Sequence, residues 1–174
     1  MKKFELTTEF ITSMFGKKLF RIKALIEFGN VKAGELGGFV EKEENLSHDG
    51  NAWVRGNAVV CENAVVRGNA MVRGNAWVCE NAVVRGNAWV CGNAEVCGNA
   101  DYACIKGFGT EFRHTTFYKT KENGIGVKCG CFNGSLEQFR EQVKETRNGK
   151  IAKEYLIIAD LMEYHFASEG SDDE

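Results

Sequence analysis

Proline is absent from this 174-residue chain, histidine occurs three times, and positive charge is not in excess, with 22 Lys and Arg against 24 Asp and Glu. A net charge of −2 supplies no basic field with which to hold duplex nucleic acid. No apolar run is long enough to cross a bilayer, so no membrane partner is expected. The opening residues, MKKFELTTEF, lack the apolar core of a signal peptide. The expectation is a cytoplasmic protein whose seven cysteines stay reduced and form no disulfide framework. With its 20 glycines gathered in repeats and turns, the composition is not that of a disordered linker.

What is present is a repeat. From Gly50 to Ala103 the phrase Gly-Asn-Ala-x-Val-x recurs nine times without an insertion. Asn holds the second place throughout, Asn51 to Asn99, and Ala holds the third, Ala52 to Ala100. Val holds the fifth in eight hexads, Val54 to Val96, and Tyr102 takes it in the last. A helix needs apolar spacing near 3.6, which a strict six does not supply. The pattern suits a short strand, Ala-x-Val, with Ala and Val inward and x outward. A corner follows, at which Gly and Asn take the left-handed backbone conformation. Strands joined by identical corners build a solenoid.

These hexads resemble the hexapeptide-repeat family of left-handed parallel β-helices, over about a third of the chain. The resemblance implies a triangular prism of about three full coils, stacked at ~4.8 Å per coil. The fold class is therefore mainly β, with caps at the two open ends. Residues 1-49 form an N-terminal hairpin, FELTTEF and KLFRIKALIEF around SMFGKK, and a degenerate coil with Val31, Leu36, Val40 and Leu46 inward. Residues 50-104 are the β-helix and 105-167 a small α+β cap of ββαα form. In that cap TTFYKT and IGVKCGCF pair as a hairpin, and Ser135 with Gln138 makes a capping box opening a helix. A second helix follows, with Ile151, Tyr155, Ile158 and Met162 on one face, and residues 168-174 are a frayed acidic tail.

The layout from LFRIKALIEF through NGSLEQF is similar to hexapeptide-repeat proteins common in bacteriophages and prophages. That family implies an architecture and a phage context more than a mechanism.

With a period of eighteen, outward residues stack into ladders. The x place gives Trp53, Met71 and Trp89 on one face, Val59, Trp77 and Glu95 on the next, and Val65, Val83 and Asp101 on the third. Two faces thus show large apolar groups, which suits packing of protomers. The resemblance implies a homotrimer, with Trp53, Met71, Trp89, Val59 and Trp77 at its interface. The place after Val gives Arg55, Arg73 and Cys91, then Cys61, Cys79 and Cys97, then Arg67, Arg85 and Ala103. Like charges on adjacent rungs repel unless neutralised. Pairing with Glu62 and Glu80, which replace Gly at one corner, is one reading. The other is an anion site in which Arg55, Arg73, Arg67 and Arg85 bind phosphate while Trp77 or Trp89 stacks a base.

Metal and catalytic readings are weaker. Three thiols along a flat ladder converge poorly on a metal. Cys129-x-Cys131 is read as a strand whose two thiols face the helices, and with His114 and His165 it does not match zinc-module spacing. Acyltransferases of the resembled family use a His base and a loop that breaks the repeat. Here no loop interrupts the hexads, and the nearest His is His48. There is no Ser-His-Asp set, no phosphate-binding Gly loop and no HExxH. No catalytic residue, metal or cofactor is therefore expected. The expectation is a non-enzymatic phage protein, a trimeric counter-defence factor that inhibits a host immune protein or soaks up a nucleotide signal. An acyltransferase-like enzyme and a structural phage component are the alternatives.

Overall fold

The chain enters through an antiparallel hairpin, β1 (Phe4–Thr12) and β2 (Lys18–Ala24), followed by β3 (Leu36–Val40). The computed structural model describes residues 1–167, so the acidic tail expected at 168–174 lies outside the described residues. Eight two-residue strands then follow at six-residue intervals. They are β4 (Trp53–Val54), β5 (Val59–Val60), β6 (Val65–Val66), β7 (Met71–Val72), β8 (Trp77–Val78), β9 (Val83–Val84), β10 (Trp89–Val90) and β11 (Glu95–Val96). Strands three hexads apart pair in parallel, as in Trp53 to Met71 to Trp89. The result is a β-solenoid of about three turns, as the repeat predicts.

Every Ala and Val from Ala52 to Val96 at the third and fifth places is fully buried, and together they make one continuous core. Narrow Ala at the corners and wider Val at mid-face fill the prism. The corners are built differently from the expectation. Positive φ belongs to the first hexad place alone, Gly in most rungs and Glu62 (φ 60) and Glu80 (φ 52) in two. Asn works instead through its side chain: Asn51 donates to Asn69 and Asn69 to Asn87, with matching pairs Asn57 to Asn75 and Asn63 to Asn81.

The coil below the hexads is irregular. Val40 pairs with Val60, twenty positions on, whereas Val54 pairs with Val72, eighteen on. Val31, Val40 and Leu46 are buried as expected, but Leu36 is 54% exposed, because it lies opposite a corner and not a strand centre.

The ninth hexad does not complete a rung. Ala100 is exposed, Asn99–Asp101 form a short 3₁₀ turn, and Asp101 accepts the N–H groups of Cys97 and Gly98 while pairing with Lys119 at 2.9 Å. Asp101 and Ala103 therefore leave the third-face ladder. Tyr102 opens a four-stranded antiparallel sheet, β12 (Tyr102–Phe108), β13 (Arg113–Lys119), β14 (Ile125–Cys129) and β15 (Phe132–Ser135). Two helices follow, α1 (Leu136–Thr146) and α2 (Gly149–Phe166). The cap is thus ββββαα where ββαα was expected: β12 (YACIKGF) begins inside the ninth hexad and reads as part of the repeat, and β15 (FNGS) holds a single large apolar residue and does not read as a strand. The hairpin of β13 and β14 and the Ser135–Gln138 capping box stand as predicted. Tyr155, Ile158 and Met162 of α2 pack with Phe139 and Val143 of α1 against Phe117 and Val127, with Ile151 at the margin.

Candidate functional site

The third face is the barest part of the prism. Its sheet holds β6 and β9 alone, and its outer rungs carry Val65 and Val83, both half-buried, with Arg67 and Arg85 exposed. Arg67 and Arg85 stand one coil apart, ~4.8 Å. Among the described residues neither has a carboxylate within ion-pair distance. The expected neutralisation by Glu62 and Glu80 is corrected: Glu62 pairs with Lys17 at 3.5 Å and accepts the Glu80 N–H at 2.9 Å, in a ladder begun by Glu41. Those acids occupy the corner before the third face, whereas Arg67 and Arg85 occupy the one after it.

At the upper end of this face the departing chain makes a wall. The Tyr102 hydroxyl donates to the Val83 carbonyl at 2.7 Å, and Asn99 accepts the Val83 N–H at 2.9 Å. Together Arg67, Arg85, Val83, Asn99, Tyr102 and Cys104 line an open hollow of about 520 Å³. Behind it stands a polar relay: Cys104 Sγ lies 3.8 Å from His114 Nδ1, and His114 Nε2 lies 3.2 Å from Asn87 Nδ2. The asparagine ladder decides the tautomer. Asn87 Oδ1 already accepts from Asn69, so its amide N–H₂ faces His114 Nε2, and the ring proton sits on Nδ1, directed at the sulfur. Thr116 Oγ1 accepts the Trp89 N–H at 3.0 Å and offers its own proton to Cys104 at 3.7 Å. Burial pushes the Cys104 thiol above its ordinary value, and the Thr116 hydroxyl opposes that shift.

On the other side of His114 a second hollow, of about 350 Å³, is lined by Trp89, Arg113, His114, Thr116 and Lys128. Lys128 is buried, hydrogen-bonded to the Gly130 and Phe132 carbonyls, and lies 5.5 Å from the Trp89 ring. The Arg73 guanidinium lies 5.2 Å from the same ring, and its Nε donates to Cys91.

The structure therefore sorts the expected residues. Arg67 and Arg85 come together, with Tyr102 beside them in place of a tryptophan. Trp89 and Arg73 pair with each other, and Trp77, half-buried, has Lys121 5.2 Å from its ring on another face. Arg55 is spoken for by Glu35 at 2.9 Å and the Asn30 carbonyl. Trp53 is corrected outright: it is 0% exposed beneath Phe4 and Phe28, because the N-terminal segment folds over its face. Val59 is likewise buried, clustered with Leu19 and Phe39, so neither side chain is available to a second chain. Met71 and Trp89 keep partial exposure.

The remaining candidates resolve simply. His48 is stacked on Phe4, its Nδ1 accepts the Lys3 N–H at 3.1 Å, and its Nε2 meets Glu43 at 2.7 Å. Both ring nitrogens are thus engaged, which leaves no lone pair for a general base. Cys129 and Cys131 do not share a strand face as expected: Gly130 turns the chain, and Cys131 is exposed while Cys129 is half-buried. His165 packs on Phe166, away from His114. No group of three metal-ligating side chains occurs among the described residues. Spacing along the hexads gives no signal for Cys104 and His114, which meet because their strands pair, with Cys104 opposite Thr116. No family model and no curated protein sequence matches this chain.

Proposed function

We propose that this chain is a binding protein that acts without turnover, holding a small anionic molecule with a planar ring, a signalling nucleotide by class, on the Arg67–Arg85 shelf. The observation that carries this reading is a pair of exposed arginines on adjacent rungs with no carboxylate at ion-pair distance among the described residues. Two like charges one rung apart repel, so an arriving phosphate relieves that repulsion and gains charge-assisted bonds from both. Tyr102, held by its hydroxyl, offers a half-buried ring at the edge of the same hollow.

The resemblance to phage and prophage hexapeptide-repeat proteins gives the activity a setting, counter-defence. A sponge for a host nucleotide signal uses this shelf directly, and an inhibitor of a host immune protein uses it to hold an anionic surface. Assembly as a homotrimer belongs to the reading, through Met71, Trp77 or Trp89. An acyltransferase would need His48 free, and its engaged nitrogens argue against that.

The test is a thermal melt of the intact protein against a panel of cyclic nucleotides. A ligand at 100 times its Kd adds about 2.7 kcal/mol, a rise of ~5–10 °C at this chain length. Arg67→Ala or Arg85→Ala is expected to remove the rise while leaving the ligand-free melt within about 1 °C. An unchanged melt across the panel rejects the nucleotide reading.

A further inference from the structure

Of the seven cysteines, Cys61 and Cys91 are buried, Cys79, Cys97 and Cys129 half-buried, and Cys104 and Cys131 exposed. Both exposed thiols have cations nearby, but those beside Cys131 are engaged: Lys128 is tied to the Gly130 and Phe132 carbonyls, and Arg113 pairs with Glu111 at 3.9 Å. Cys131 lies in the β14–β15 turn. Cys104 lines the same hollow as Arg67 and Arg85, neither of which has a carboxylate within ion-pair distance among the described residues. Its sulfur also faces two donors, His114 Nδ1 at 3.8 Å and Thr116 Oγ1 at 3.7 Å. A sulfur so placed accepts hydrogen bonds best as the thiolate, which is the form that attacks a disulfide.

We propose that Cys104 is a modification site at which this chain forms mixed disulfides selectively with anionic low-molecular-weight disulfides, drawn in by Arg67 and Arg85. The inference rests on the same anion shelf as the proposed function. The step balances without any other oxidant. Cys104 gives its thiol proton to water, and the thiolate attacks one sulfur of the reagent along the S–S axis. The S–S bond breaks, one half stays on Cys104, and the other leaves as a thiolate that takes a proton from water. The Cys104 thiol is shifted upward, so its thiolate fraction is not what selects this site. Selectivity comes from the local concentration of negative reagent above the two guanidinium groups, an effect that salt screens.

The experiment treats the intact, reduced protein with oxidised glutathione, which is anionic, or with cystamine, which is cationic, and reads each cysteine by peptide mass spectrometry over time. With glutathione disulfide, Cys104 is expected to label on the order of tenfold faster than Cys131, and with cystamine the preference vanishes or reverses. Arg67→Gln with Arg85→Gln should remove the glutathione preference at Cys104 and leave Cys131 labelling unchanged, with a melting curve confirming that the variant is folded. Labelling of Cys104 no faster than Cys131 by the anionic reagent, or a preference that survives the double substitution, overturns the proposal. The two readings fail separately. A charge preference without any nucleotide-induced rise in melting temperature sinks the nucleotide and keeps the thiol site. A nucleotide-induced rise without charge preference does the reverse.

Discussion

At the residue scale the hexad assigns a separate job to each letter, and the jobs differ in how far the sequence discloses them. Ala and Val are legible because burial follows directly from their recurrence, and every one of them through Val96 lies in the core. The Gly and Asn places are harder to read, because both residues tolerate positive φ. Gly alone uses it, and Asn spends its side chain on an amide ladder between coils. The glycines are also not equivalent. Gly50 has φ +69, and a methyl there would collide with the Gly68 carbonyl oxygen of the coil above. Gly86 has φ +68 with open space around it. Gly50→Ala should therefore cost the left-handed strain of about 1–2 kcal/mol plus a backbone shift, and Gly86→Ala the strain alone. Urea midpoints of the two variants check this, and equal losses would mean that the corners yield freely. No repeat logic distinguishes the two positions, since the difference lies in what the next coil does overhead.

At the element scale, the solenoid could be drawn from spacing, but what covers it could not. Trp53 and Trp89 occupy the same place in the hexad, one under the N-terminal segment and the other against β13 and β14. Phe4 reaches Trp53 from 49 positions away and Phe28 from 25, and such contacts obey no period. The apolar ladder that suggested an oligomer face is therefore in part an internal seam. Phe28, half-buried with its ring centroid 5.4 Å from that of Trp53, seals it. Phe28→Ala should cost about 1–3 kcal/mol, below the range for a fully buried Phe, because the ring is partly wet already. It should also move tryptophan emission to longer wavelength as Trp53 meets water. A destabilised variant whose emission is unchanged would show that Phe28 acts elsewhere. The candidate site has the same history: Arg67 and Arg85 were readable as a ladder, while Cys104, His114 and Thr116 joined them only through the sheet that leaves the last coil.

For the molecule as a whole, buried thiols set the response to alkali. Burial pushes Cys61 up to about 11, and it is the leading cause of upward shifts at Cys79, Cys91 and Cys97 as well. In the unfolded chain these thiols ionise near ~8.5. Between that value and the raised ones the folded state holds more protons than the unfolded state, so stability falls as pH rises. Lys3 works in the opposite sense. Its ammonium is buried against the Gly50 and Ala52 carbonyls, and burial lowers it to about 8 despite the nearby Asp49 carboxylate. Between about 8 and the ordinary lysine value the unfolded chain binds the extra proton, which adds stability with rising pH. Four thiols against one amine decide the sign. Under reducing conditions the melting temperature should be level to pH 8 and then fall through pH 11, at ~2–4 °C for each kcal/mol lost. Lys3→Met removes the opposing contribution and should steepen the decline above pH 8 relative to the parent. A parent curve that stays flat or climbs to pH 10.5 would mean that the cysteine ladders are wetter than their places between the coils require.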